Sequence, residues 1–161
     1  QCCGGRHAGP GRAVAGEPGV SGIEGLSHIT LIARNLDRME QILVTVLDAR
    51  KIYDSGAGSH SLSPERFYLV GNLQPVWIAV MQGSDELPRS YNHIAFKIAD
   101  DDFDKRLAAV RSLGLDLRPP RPRIEGEARS IYFHDEDNHL FELHTGTLEQ
   151  RLSAYAAISK P

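Results

Sequence analysis

The chain is 161 residues long, 41% hydrophobic and 24% charged, with a formal net charge of -3 at pH 7 and a pI near 6.2. That length lets one domain, or two half-domains sharing a core, bury enough apolar surface to fold without staples. The slightly acidic balance gives no general attraction to nucleic acid, and the longest apolar run, Val76 to Met81, is too short to cross a bilayer, so neither nucleic acid nor membrane is an expected partner.

Residues 1–22, QCCGGRHAGPGRAVAGEPGVSG, are rich in Gly, Ala and Pro and cannot offset their ordering entropy by burial. They read as a disordered extension or a cloning remnant, without the apolar run of a secretory signal. Both cysteines, Cys2 and Cys3, lie there. The rest of the chain therefore offers no disulfide framework, thiolate metal site or cysteine nucleophile, and a reducing cytoplasm is its simplest home. One domain is expected from Ile23 to Pro161. Within it SHITLIA reads as a strand, and NLDRMEQILVTVL as a helix with Asn35 as N-cap and Leu36, Met39, Leu43, Val46 and Leu47 on one stripe. RFYLV and VWIAVMQ follow as strands around a GNLQP turn. The order then repeats. NHIAFKI is a strand, and DDDFDKRLAAVRSLG a helix with an acidic start, Phe103, Leu107, Val110 and Leu113 inward, and Gly114 as its stop. A basic loop, LRPPRPR, favours small anions over polymers; SIYFH and HLFELHT then flank a DEDN turn, and Leu148 to Ile158 forms a terminal helix.

The chain is thus two copies of a β-α-β-β-β unit, about residues 23–83 and 90–146, followed by a helix over about 148–159. LSHITLIA and YNHIAFKI place one histidine at the same point of the same phrase. Two short mixed sheets each leave a bare face that needs a partner, within a chain or between chains. Alternation puts His28, Thr30 and Ile32 on one face of the first strand, and His93, Ala95 and Lys97 on one face of its counterpart. Two imidazoles and a carboxylate make a metal site with open positions, and Glu142, set between Phe141 and Leu143, is the candidate third ligand. His139 and His144 are rival ligands on this reasoning.

The phrases SHIT and YNHIAF, with SIYFHDEDNHLFELHTGTLEQRL, resemble the fosfomycin-resistance proteins of the vicinal oxygen chelate superfamily, from about Ile23 to Leu152. The resemblance implies an α+β fold of paired βαβββ modules and a domain-swapped homodimer, in which His28 of one subunit completes a site with His93 and Glu142 of the other. It implies one Mn(II) per active site and leaves His139 and His144 outside the ligand set. Thr30 stands where bacillithiol-using relatives carry a cysteine, whereas HSLSPERFYLVGN and RPPRPRIEGEARSIYF are similar to the hydrolase branch, called FosX, whose general base falls on Glu65. The implied activity is opening of the fosfomycin epoxide by water. The same resemblance puts Thr30, Tyr91, Ser130, Tyr132 and Arg151 around the phosphonate, and Arg129 joins them as the neighbour of Ser130. Gln150, beside Arg151, departs from the acid expected there in some hydrolase-type relatives.

Three other readings stay open at this point. A glutathione transferase of the same substrate shares the fold, a ferrous dioxygenase shares the ligand set, and a drug-sequestering protein would need no metal at all.

Overall fold

The computed structural model describes residues 22–58, 60–84, 87–119 and 128–158. The reading of residues 1–22 as a disordered extension falls, but for Gly22, outside them, as do Arg121 and Arg123 of the basic loop. Two four-stranded sheets account for the described fold. Strands β1 (His28–Ala33), β2 (Arg50–Asp54), β3 (Glu65–Val70) and β4 (Val76–Gln82) form the first, in the order β1-β4-β3-β2. Strands β5 (His93–Lys97), β6 (Asp116–Arg118), β7 (Ser130–His134) and β8 (Leu140–His144) form the second, in the order β5-β8-β7-β6. In each sheet the first strand runs parallel to the last and the other pairings are antiparallel, so the duplicated sequence is a duplicated topology.

A helix crosses over between the first two strands of each unit: α1 (Leu36–Leu47) in the first and α2 (Phe103–Ser112), entered by a 3-10 turn at Asp100–Asp102, in the second. Asn35 caps α1 by accepting the Arg38 N–H, and the helix stops at Asp48, which takes the left-handed conformation at φ 51°. Gly114, at φ +63°, turns the chain after α2, where a side chain would be strained. The α1 stripe buries Met39, Leu43, Val46 and Leu47 as its spacing requires, and also Ile42.

These residues join Leu31, Tyr68, Ile78 and Val80 of the first sheet and Val110, Ile131, Phe133, Phe141 and Leu143 of the second in one continuous core. Each sheet therefore turns one face to the helices and the other, its open face, away from them. Polar clasps on the helix side tie the units together. The Arg34 backbone N–H and guanidinium both donate to Asp137, and Arg38 reaches the Glu136 carboxylate and the Leu113 carbonyl. Arg106, buried on α2, donates to the Val46 carbonyl at 3.0 Å and to the Asp48 carboxylate, supplying at the α1 C-terminus the cation that its own last turn lacks.

The C-terminal helix α3 (Leu148–Ile158) starts with a reciprocal cap. The Gln150 N–H donates to Thr147 Oγ1 at 3.2 Å, and the Thr147 N–H donates to Gln150 Oε1 at 2.9 Å. Gln150 thus has a local structural task that glutamine performs as well as glutamate.

Candidate metal centre

Strand register builds the centre on the open faces. In the second sheet, His93 pairs with Leu140, Ala95 with Glu142, and Lys97 with His144, while Ser130 and Tyr132 of β7 stand opposite His144 and Glu142. One face of this sheet therefore carries His93, Glu142, Tyr132, Ser130 and His144 together. His93 Nε2 lies 2.9 Å from Glu142 Oε2. The other ring nitrogen, Nδ1, lies 2.8 Å from the Tyr91 carbonyl, an acceptor only, so Nδ1 carries a proton that it donates there. In the neutral ring, Nε2 then holds a lone pair, and it faces an anionic oxygen. Two acceptors at that distance need a cation or a proton between them, and an imidazole nitrogen beside a carboxylate oxygen is a donor pair that could hold a divalent metal.

Glu142 is buried among hydrogen-bond donors. Burial alone would raise its carboxyl, but hydroxyls from Ser130 and Tyr132 and the neighbouring His144 and His93 outweigh it and hold the group below its usual range. Tyr132 shifts the other way. Burial, then hydrogen bonding to Tyr91 and Glu142, pushes its hydroxyl well above the ordinary tyrosine value, so it remains a donor. The Tyr91, His93 and Tyr132 rings pack with centroids 5.0–5.9 Å apart.

His28 and Thr30 lie on the open face of the first sheet, opposite Trp77 and Ala79. The His28 ring packs 4.5 Å from Trp77, and its Nδ1 lies 3.1 Å from Ser27 Oγ. Glu65 opens β3 on the same face as Phe67, which also pairs with Ala79. Glu65 is buried at 8% exposure, and its carboxylate has no ion pair or hydrogen bond among the described residues; its backbone is engaged with Ser55, the N–H donating to Ser55 Oγ at 2.9 Å and the carbonyl accepting the Ser55 N–H at 3.0 Å. Burying a carboxylate without a hydrogen bond or counter-charge costs free energy. Within the single chain the ring nitrogens of His28 do not come within 4.8 Å of both His93 and Glu142. One chain brings two of the three predicted ligands together and leaves the third apart.

Of the remaining expected site residues, Tyr91, Ser130 and Tyr132 gather around His93 and Glu142, whereas Arg129 does not. Its guanidinium donates to Asp100 at 2.8–3.0 Å and stacks 4.1 Å over the Phe103 ring, because a residue next to Ser130 on the strand points the opposite way. Arg151 lies in the first turns of α3, its N–H bonded to the Thr147 carbonyl. Sequence reasoning missed Arg118, which pairs with Tyr132 in register and lies 5.1 Å over the Tyr91 ring. Alternation along DLR would have found it had β6 been recognised.

A second cluster, Asp135, Asp137 and His139, has the composition of a metal site but is satisfied internally. Asp135 accepts the N–H groups of Asp137 and His139 and faces His139 Nδ1 at 2.7 Å, and Asp137 is held by Arg34. It folds the β7–β8 turn, and His139 has no place on the open face.

No protein-family model matches the chain. Among curated proteins, it is 60% identical over 134 residues to the fosfomycin resistance protein FosX of Mesorhizobium japonicum, covering 83% of this chain and 94% of that protein. Metallothiol transferase FosB of Staphylococcus haemolyticus is 32% identical over 137 residues, covering 83% of this chain and 91% of that protein. Among solved structures, a Gln-for-Glu variant of FosX from Listeria monocytogenes, complexed with Mn(II) and 1S,2S-dihydroxypropylphosphonic acid, superposes with a TM-score of 0.75 at 49% identity, covering 81% of this chain and 98% of that one.

Proposed function

This chain belongs to the FosX fosfomycin resistance proteins, and from that premise we propose that it is a Mn(II)-dependent epoxide hydrolase that opens fosfomycin with water and so confers resistance. The observation that carries the reading is the facing of His93 Nε2 and Glu142 Oε2 at 2.9 Å, two lone-pair donors aimed at one point. Imidazole nitrogen with carboxylate oxygen suits Mn(II), and His28 is the third ligand. We place the protein in the cytoplasm; among the described residues no helix is long and apolar enough to cross a membrane.

The separation of His28 from its co-ligands in a single chain supports a homodimer of swapped modules, in which each subunit lends its His28 to the other's His93 and Glu142. The open faces then meet around the substrate. When bound, the metal, one ion per active site, supplies a Lewis acid for the oxirane oxygen and a template for the phosphonate. Tyr91 offers its hydroxyl to the phosphonate oxygens beside Tyr132, whose own hydroxyl bonds Glu142, Thr30 offers another from the opposing sheet, and Arg151 and Arg118 supply guanidinium charge. Ser130 stands at the same site; Arg129 can take part only by leaving Asp100.

Glu65 does the proton work. Its carboxylate takes a proton from the attacking water as oxygen bonds to the carbon bearing phosphorus; the ring bond to that carbon breaks, the ring oxygen is left as the neighbouring alkoxide, and it takes up a proton from solvent to become a hydroxyl while Glu65 releases the proton it gained. The product is a vicinal diol phosphonate, the class of molecule held by the Listeria protein. Loading metal-free protein with Mn(II) and following fosfomycin consumption with and without thiol tests the reading. Turnover that is complete without thiol and lost with a chelator supports it; strict dependence on added thiol would make the protein a transferase.

A further inference from the structure

Ser130 sits between two groups that both want its hydroxyl. Its Oγ is 2.5 Å from Glu142 Oε1 and 2.8 Å from His144 Nδ1, while His144 Nδ1 is 3.5 Å from Glu142 Oε1. A hydroxyl has one proton to give. The carboxylate can only accept, so Ser130 donates to Glu142 and its lone pair receives the proton on His144 Nδ1. The polarity of the chain is thereby set: His144 to Ser130 to Glu142. Ser130 and Glu142 are both buried, and Ser130 faces His144 directly in the β7–β8 register. Space is kept for the ring by Gly146, where a Cβ would lie 2.7 Å from His144 Nε2 and 3.2 Å from its Cε1.

The two oxygens of Glu142 are therefore unequal. Oε1 is held by Ser130, and Oε2 is turned toward His93. We propose that His144 is a positioning residue of the metal centre, which acts through Ser130 to pin Glu142 Oε1 and present Oε2 to the ion. This rests on the Mn(II) site proposed above and adds a partner beyond the ligands. It also gives Ser130 a task other than donating to the substrate, since its proton is committed to Glu142. Hydrogen-bonded partners of ligands are where metal affinity is tuned, and losing one typically weakens binding about 10- to 100-fold.

The test is Mn(II) affinity, measured by calorimetric titration of metal-free protein, with thermal unfolding recorded for every variant. His144→Leu and Ser130→Ala are each expected to weaken Mn(II) binding about 10- to 100-fold. Because His144 acts through Ser130, the double variant should be no weaker than Ser130→Ala alone, within about threefold. In His144→Asn the amide nitrogen occupies the place of Nδ1, and affinity should return to near wild type, whereas His144→Gln, whose amide reaches the place of Nε2, should stay weak. Wild-type affinity in His144→Leu, multiplied losses in the double variant, or equal weakness of the Asn and Gln variants would each overturn the proposal. The Asn and Gln pair decides the matter if His144→Leu does not fold. Failure of wild-type protein to bind Mn(II) would overturn the metal site itself, and this role with it; wild-type binding with an indifferent His144 overturns the role alone.

Discussion

Mixing two crippled chains should restore activity. His28→Ala removes the ligand carried by the first sheet, and Glu142→Ala removes one carried by the second; homodimers of either variant lack a ligand at both sites. In a swapped dimer of one His28→Ala chain with one Glu142→Ala chain, both lesions fall in the same site, and the other site receives His28 from one subunit with His93 and Glu142 from its partner, all intact. Free recombination of equal amounts makes about half of the dimers mixed, each with one working site of two, so about a quarter of wild-type activity returns. The structural basis is that His93 and Glu142 face each other across 2.9 Å within a chain while His28 stays apart from them. The assay is fosfomycin turnover after the two metal-free variants are co-refolded with Mn(II), against each variant refolded alone. A mixture no more active than its parents, with subunit exchange verified by mass, would refute intersubunit assembly, because sites built within one chain give mixed dimers with two broken centres.

Three further outcomes are expected. Glu65→Gln should lower kcat about 10²- to 10⁴-fold while calorimetry shows Mn(II) affinity unchanged, as removal of a general base requires. Arg106→Ala should cost about 2–4 kcal/mol in denaturant unfolding, chiefly from stranding the Val46 carbonyl and losing buried stem, since the exposed Asp48 carboxylate adds well under 1 kcal/mol. The hydrogen bond from Arg106 holds Asp48 below its ordinary 3.8, against the pull of burial, so that small share is present above pH 3.8 and fades as pH falls through the lowered value; the gap between wild type and variant should narrow in acid. Gln150→Ala should loosen α3 by about 1 kcal/mol, read as faster hydrogen exchange of its first amides, because it opens the cap on Thr147.

The repeated histidine phrase was the most legible feature: it located both first strands, and alternation along them gave the face of each imidazole, while the apolar stripes that follow located both crossover helices. Asn35 and Gly114 announced their helix ends because capping is local chemistry. The short outer strands β2 and β6 were not read. RKIYD is mostly exposed and interrupted by a register shift, and DLR is three residues long, so neither shows an apolar alternation. Missing β6 hid Arg118. Arg129 illustrates a different limit: proximity in sequence to Ser130 suggested the substrate face, but its partner Asp100 and stacking surface Phe103 are distant in the chain. The cap formed by Thr147 and Gln150 could have been read from its spacing, which would have explained Gln150 without appeal to catalysis. Glu65 is the opposite case. No periodicity marks a glutamate after Ser-Pro, and only resemblance to the hydrolase branch singled it out before the fold showed it buried, with no partner for its carboxylate among the described residues.

The source of the new oxygen distinguishes a hydrolase from a thiol transferase most directly. Protein reloaded with Mn(II) should be incubated with fosfomycin in oxygen-18-labelled water, without thiol, and the product examined by phosphorus NMR and mass spectrometry. A water-using, metal-dependent enzyme yields a diol phosphonate carrying one heavy oxygen, on the carbon bearing phosphorus, and no product when a chelator is present. Unchanged fosfomycin, converted to a thioether adduct only after thiol is added, would contradict the hydrolase reading.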